Sequence, residues 1–151
     1  MVLRTMFFDV GGTLETYTCT REYRIQNTGV LRDLLTEAGI VLPLDDEQLY
    51  EVITSGIRDY RRWSIDSMIE LSTSEIWSRY VFKDLVADKE ALYKISEKLS
   101  CLYELFYYVR EMRPEVPFVL AEIKKMGLRI GCISNTQSVT QVPTSLKKFG
   151  I

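Results

Sequence analysis

Apolar residues follow two kinds of pattern along the chain, short runs near its two ends and helical stripes between them. The run at residues 6–10 stops at glycines, which is typical of a buried parallel strand. The stretch "LRIGCIS" at residues 128–134 predicts a second buried strand. From about residue 21 to residue 112 the apolar positions recur with helical spacing, so this segment is predicted to be helical and to contain no strand.

Start and stop signals divide this segment into several helices. Asp45 with Gln48, and Ser72 with Glu75, have the spacing of capping boxes, and Asp88 is placed to cap a further helix. The helix after Ser72 should bury the stripe Ile76, Trp77, Tyr80, Val81 and Leu85. The helix after Asp88 should bury the stripe Leu92, Ile95, Leu99, Leu102 and Phe106. Such stripes usually form the core of a helical bundle.

Strand and helix alternate again after residue 113. Pro114 and Pro117 lie where a helix should begin, Gly127 should end it before the second strand, and a last helix is predicted near residues 143–149. This order predicts an α/β protein: a Rossmann-like parallel sheet core, incomplete and N-terminal, with an inserted all-α helical-bundle cap. We expect residues 1–15 and 113–151 to form the core and residues 16–112 to form the cap.

Composition narrows the class of protein. The 151 residues are 46% hydrophobic and 26% charged, with a net charge of −2 and no basic face that would predict nucleic-acid binding. The chain has no histidine, which excludes histidine-based triads, and its three cysteines lack the spacing of a metal site. No apolar run approaches the roughly 20 residues that span a bilayer. We therefore expect a cytoplasmic protein that binds neither membrane nor nucleic acid.

The first strand ends in "FFDVGGTLET", an aspartate followed by two glycines and a threonine. Two classes of phosphate-binding protein use such a loop. "DVGGT" resembles the ATP-binding loop of the sugar kinase and actin-like group, in which an apolar strand follows within a few residues to form a hairpin. The polar sequel "LETYTCTREYRIQNTG" predicts a helix there, which disfavours this group.

The wider pattern resembles the haloacid dehalogenase-like hydrolase superfamily. "MFFDVGGTL" is similar to its first motif and "GCISNT" to its second, while "RPEVPFVLAEIKKMGLRI" is similar to the helix and strand leading into the second motif. The long insert between the two motifs matches the helical cap of many members. This resemblance covers the whole chain.

The resemblance implies a specific chemistry. Asp9 would attack phosphorus to form an aspartyl-phosphate that water hydrolyses, and it needs no base because aspartate is ordinarily ionised at neutral pH. A magnesium ion would take Asp9 and the backbone carbonyl of Gly11 as ligands. Thr13 would steady the catalytic loop. The implied phosphate-binding residues are Gly12, Ser134 and Asn135, and the implied partner is a small phosphorylated substrate.

Two departures from the superfamily pattern qualify the expected activity. Gly11 stands where most of its phosphatases have a second aspartate that transfers protons. The chain ends at "SLKKFGI", before the third and fourth motifs would supply a lysine and further magnesium ligands. We therefore expect an N-terminal portion of the hydrolase, weak or inactive by itself, with exposed strand edges through which it can self-associate. The alternative is a catalytically silent module that binds a protein partner.

The predicted cap also contains basic and aromatic residues that suit an acidic or phosphorylated substrate. Each of them is also explained as an ordinary surface or core residue, so the sequence assigns none to the substrate. These residues are Arg21, Arg61, Arg62, Trp63, Arg79 and Lys83.

Overall fold

The chain is a mixed α/β protein in which helices predominate and the strands form two small sheets. The computed structural model describes residues 3–151. The strands are β1 (Thr5–Phe8), β2 (Glu15–Thr18), β3 (Val109–Met112) and β4 (Arg129–Cys132). The helices are α1 (Arg21–Glu37), α2 (Asp46–Ser67), α3 (Thr73–Ile76), α4 (Lys89–Phe106), α5 (Val116–Lys125) and α6 (Gln141–Phe149). A π-helical turn (Trp77–Val81) directly follows α3.

The two predicted strands are neighbours in a parallel sheet. β1 pairs with β4 in a register that places Thr5 opposite Arg129 and Phe8 opposite Cys132. Parallel strands need a crossover connection, and α5 is the helix that leads into β4. A small apolar cluster of Val10, Leu14, Val116 and Leu120 joins α5 to the loop that follows β1. The ends of β1 and β4 are thereby held side by side.

The second sheet was not predicted. β2 and β3 form an antiparallel pair with Glu15 opposite Met112 and Thr18 opposite Val109, so the expectation of no strand within residues 21–112 was wrong for β3. Each strand has four residues, and both are largely polar, so neither gives the apolar alternation that marks a half-buried strand. A strand does follow Thr13, but its ladder partner is β3 and not β1, unlike the hairpin expected of the kinase group.

The predicted helix starts agree with the structure. Both capping boxes form, at Asp45 and at Ser72, and the side chain of Asp88 accepts a hydrogen bond from the Ala91 amide at 2.9 Å. The helix after Ser72 differs from its prediction, because it passes into the π turn and ends at Val81, leaving Leu85 46% exposed. This turn lies against Gly56 of α2, where an added Cβ would be 2.6 Å from the Cα of Val81.

The larger apolar cluster joins α1, α2, the π turn and α4, which we call the helical bundle. The buried face of α4 is rotated from the predicted stripe, since Ile95, Leu102 and Phe106 are only half-buried. One cause is Trp77, which is fully buried and donates its indole N–H to Ser100 Oγ at 2.8 Å. The residues that α4 buries are Leu92, Ser96, Leu99, Ser100, Tyr103 and Glu104. None of the helices formed by residues 3–151 is long and apolar enough to cross a membrane.

Candidate functional site

A cleft of about 280 Å³ opens where the carboxyl ends of β1 and β4 meet the helical bundle. Asp9 directly follows β1, and Ser134 lies two residues after β4. The carboxyl ends of parallel strands are the usual place for ligand sites in open α/β sheets. The cleft is lined by Asp9, Val10, Gly11, Glu15, Tyr17, Arg61, Glu104, Tyr108, Arg110, Ser134, Asn135, Thr136 and Gln141.

The loop after β1 is a tight turn that fixes Asp9 at the rim of this cleft. The carbonyl of Val10 accepts hydrogen bonds from the amides of Thr13, Leu14 and Glu15 at 3.2, 2.9 and 3.1 Å. Gly12 has a φ of 80°, a left-handed conformation that a side chain would disfavour. Asp9 itself is exposed, and its Oδ1 accepts a hydrogen bond from the Val10 amide at 2.8 Å.

The structure brings together four of the six residues that the resemblance assigns to the site. Asp9, Gly11, Ser134 and Asn135 line the cleft, whereas Gly12 and Thr13 do not. The Thr13 side chain is exposed and makes no hydrogen bond to residues 3–151, so Thr13 contributes to the turn through its backbone amide.

The loop that carries Ser134 is tied to the helical bundle through one carboxylate. Glu97 Oε1, on α4, accepts hydrogen bonds from Ser138 Oγ at 2.7 Å, Thr140 Oγ1 at 2.9 Å and the Thr140 amide at 3.1 Å. Gln141 is buried at the start of α6 and donates a hydrogen bond from Nε2 to Ser145 Oγ at 2.9 Å. These contacts hold the segment after β4 against α4.

A buried charge cluster, which we call the Arg110 trio, lines the cleft and was not predicted. Arg110 donates to Glu15 Oε1, and its Nη2 lies 2.8 Å from Glu104 Oε2. Glu15 is fully buried, and its second oxygen, Oε2, has no hydrogen-bond partner in residues 3–151. The guanidinium also lies 5.7 Å from the ring centre of Tyr17 and 5.4 Å from that of Tyr108. One cation thus serves two carboxylates at the wall of the cleft.

Burial dominates the electrostatics of this wall. It raises the pKa of the Glu104 carboxyl, and the attraction of Arg110 and Arg61 offsets that rise only in part. Burial, together with the neighbouring Tyr108, also raises the pKa of the Tyr103 hydroxyl. Burial at this wall therefore favours the protonated form of the Glu104 carboxyl.

One signal in the sequence could have located part of this cluster. Ser96, Ser100 and Glu104 recur every four residues on α4, which places a polar line along a face that the structure buries. A buried polar line of this kind requires partners inside the protein. Glu15 and Arg110 gave no such signal, because they lie on the two short polar strands that the sequence did not reveal.

Magnesium is the metal that the resemblance implies, and the chemistry of the loop suits it. Asp9 offers a carboxylate oxygen, and the Gly11 carbonyl accepts none of the backbone hydrogen bonds that close the turn. Magnesium prefers oxygen ligands and keeps several waters, so one carboxylate and one carbonyl can contribute to its site. Residues 3–151 contain no group of three or more His, Cys, Asp or Glu side chains that could hold a metal ion. Within residues 3–151 the loop therefore offers magnesium one carboxylate, from Asp9, and one carbonyl, from Gly11.

Comparison with known proteins gives matches to solved structures. No protein-family model matches the chain, and no curated protein matches it. Seven chains of solved structures match it. One of them is described as a predicted phosphoglycolate phosphatase from Haemophilus somnus 129PT, with 19% sequence identity and a TM-score of 0.45. The match covers 99% of this chain and 58% of that chain, so this chain spans little more than half the length of that structure.

Proposed function

We propose that this chain carries the nucleophile and the phosphate anchor of a magnesium-dependent hydrolase of the haloacid dehalogenase-like type, acting on small phosphate esters. The observation that carries the proposal is the meeting of Asp9 and Ser134 in one cleft at the ends of adjacent parallel strands. Their order along the chain, with a helical bundle inserted between them, is the order of the superfamily's first two motifs.

Asp9 is the nucleophile in this proposal. Its Oδ1 is oriented by the Val10 amide, while Oδ2 accepts no hydrogen bond from residues 3–151. An Asp9 oxygen forms a bond to phosphorus as the bond from phosphorus to the leaving alkoxide breaks, and the alkoxide takes a proton from solvent. Water then attacks the phosphorus of the aspartyl-phosphate, which releases inorganic phosphate and regenerates the carboxylate.

Ser134 and Asn135 hold the phosphoryl group in this proposal. Ser134 is half-buried at the cleft, and its hydroxyl makes no hydrogen bond within residues 3–151, so it is free to donate to a phosphate oxygen. Donors fixed in advance around a developing charge lower the barrier because they need no reorganisation. Asp9 and the Gly11 carbonyl would hold magnesium, which when bound offsets the repulsion between carboxylate and phosphate.

The test is release of phosphate from a generic aryl phosphate in the presence of magnesium. It is made on the 151-residue chain and on the product of the whole gene, each with and without Asp9→Asn. We expect weak or no turnover by the 151-residue chain. In the longer protein we expect turnover that Asp9→Asn reduces to background, because an amide cannot form the acyl phosphate. Asp84→Asn is the matched control, since Asp84 has an 81% exposed side chain and does not line the cleft. Full activity in the Asp9→Asn variant would reject Asp9 as the nucleophile.

The second candidate function is a catalytically silent module that binds a protein partner. Gly11 favours it, because this position in the cleft offers no side chain for catalysis. Exposed apolar side chains also favour it: Phe7 on β1 is 60% exposed, and Ile133, directly after β4, is 68% exposed. No turnover of any phosphate ester by either form of the protein would favour this candidate over the hydrolase.

A further inference from the structure

The six basic and aromatic residues that suit an acidic or phosphorylated substrate differ in their surroundings. Arg21 forms ion pairs with Glu47 at 2.6 Å and Glu51 at 2.9 Å. Arg79 pairs with Glu75 at 3.4 Å. These two arginines already have anionic partners on the bundle surface, away from the cleft.

Of the remaining four residues, three do not line the cleft and one does. The Lys83 ammonium lies 3.9 Å from Asp84, and the Trp63 ring packs 6.4 Å from that of Tyr60. Arg62 is exposed and does not line the cleft. Arg61 alone of the six lines it.

Arg61 stands where the cleft meets a second cavity of about 270 Å³. The two cavities share the wall formed by Arg61, Glu104, Asn135 and Thr136. A ligand whose phosphate reached Ser134 and Asn135 could therefore extend past Arg61 into the second cavity. The position of Arg61 is that of a residue that contacts the part of a substrate remote from the phosphate.

Of the two arginines that line the cleft, Arg61 and Arg110, only Arg110 is held in ion pairs within residues 3–151. Arg110 donates to both Glu15 and Glu104, so its charge is already shared between two carboxylates. Arg61 forms no ion pair with any acidic side chain of residues 3–151, and its acidic neighbour Glu104 is engaged by Arg110 at 2.8 Å. Its polar neighbour Tyr108 is uncharged, so no carboxylate is paired with the Arg61 guanidinium. An arginine beside a cavity and without a carboxylate partner is suited to bind carboxylate or phosphate with two parallel hydrogen bonds.

The second cavity offers a further polar group without a partner. Both Oε1 and Nε2 of Gln137 are buried and make no hydrogen bond to residues 3–151. The acidic residue of this cavity, Glu70, is already satisfied, since it accepts hydrogen bonds from the Tyr60 hydroxyl and from Ser64 Oγ at 3.1 Å. The amide N–H of Gln137 can therefore donate to the same ligand group as Arg61.

We propose that the substrate is a phosphate ester whose leaving group carries a second anionic group, a carboxylate or another phosphate, which Arg61 binds at the junction of the two cavities. This inference rests on the proposed function for the place of the ester phosphate. Arg61 acts here in substrate recognition and takes no part in the transfer itself.

The test measures binding of compounds whose carbon–phosphorus bond cannot be hydrolysed. Alkylphosphonates of increasing chain length are compared by calorimetry with carboxyalkylphosphonates and alkylene bisphosphonates of the same lengths. We expect a carboxylated or bisphosphonate compound to bind more tightly than its plain counterpart, and Arg61→Gln to abolish an advantage of roughly tenfold or more. Whichever series shows the larger advantage identifies the second group. Arg62→Gln is the matched control, because Arg62 is the neighbouring arginine in the sequence, is exposed and does not line the cleft.

Three results would overturn the inference: equal binding of plain and doubly anionic compounds, an advantage that survives Arg61→Gln, and no binding of any phosphonate. The proposed function is judged separately by the hydrolysis assay with Asp9→Asn. Hydrolysis that depends on Asp9 but not on Arg61 would reject this inference alone. If phosphonate binding depends on Arg61 but no hydrolysis is found, the proposed hydrolase is rejected and the proposal that Arg61 binds an anionic group is kept.

Discussion

Gly11 is the residue at which the sequence departs from the first motif of the proposed type of hydrolase. It presents a bare backbone two residues after Asp9, where a second aspartate would transfer protons to the leaving group and from water. The structure leaves room for a Cβ atom there. A Cβ on Gly11 would approach Tyr17 to 3.4 Å, an ordinary contact, and Gly11 has no positive φ. The backbone conformation at position 11 is therefore compatible with a residue other than glycine.

We predict that Gly11→Asp raises the rate of phosphate ester hydrolysis. General acid–base help is typically worth about 10²–10⁴-fold, and the proposed reaction lacks it at this position. The measurement is phosphate release under saturating substrate and magnesium. Gly11→Asn is the control, because it has nearly the same shape and cannot transfer a proton. An equal change in the two variants would show that shape, and not proton transfer, is responsible.

Residues of the candidate site differ in how far the sequence could reveal them. Asp9 and Ser134 could be predicted because each follows an apolar strand, and the ends of paired parallel strands must meet. Glu15 and Arg110 could not be predicted, because they pair only in the folded protein and neither lies in an apolar pattern. Ion pairs between strands distant in sequence leave no trace in local periodicity.

At the scale of elements, the starts of those helices that have a capping side chain could be predicted from the sequence. The helix starts at Asp45, Ser72 and Asp88 depend on hydrogen bonds between residues three apart, which the sequence displays directly. The π turn depends on how closely α2 approaches it, which is a tertiary property. Gly56 is the residue that allows this approach.

We predict that Gly56→Ala destabilises the protein by about 1–3 kcal/mol, the usual cost of overpacking a core. The added Cβ would lie 2.6 Å from the Val81 Cα and 2.8 Å from the Tyr80 carbonyl oxygen, and backbone cannot move aside cheaply. Gly29→Ala in α1 is the control, because nothing lies within 4 Å of its Cβ and alanine favours the helix. The free energy of unfolding is measured in urea. Similar values for the two variants would contradict the close packing at Gly56.

At the scale of the whole molecule, the Arg110 trio links β2 and β3 to α4 and therefore joins the antiparallel sheet to the helical bundle. Its buried carboxylates make the stability of the molecule depend on pH. Because burial raises the pKa of Glu104 in the folded protein, the folded state holds this proton at pH values where the unfolded chain has released it. The free energy of unfolding should therefore fall as the pH rises from the ordinary glutamate value of 4.5 through the raised pKa.

We predict that Glu104→Gln removes this part of the pH dependence. The variant should lose less stability than the wild type as the pH rises from 4.5, because glutamine does not titrate. Urea unfolding at a series of pH values measures the difference. Glu90→Gln on the same helix is the control, since the Glu90 side chain is 79% exposed and should leave the wild-type curve unchanged. Parallel curves for wild type and Glu104→Gln would contradict the raised pKa.

The pairing of Thr5 with Arg129 also sets an order of events during synthesis. The helices of the bundle are built from continuous sequence and can form while the ribosome is still adding residues, whereas β1 cannot pair with β4 until both have left it. The strand that carries the proposed nucleophile is thus made before the bundle and finds its partner only after the bundle has been made. The wall of the cleft formed by residues 134–141 is added only after the bundle has been made.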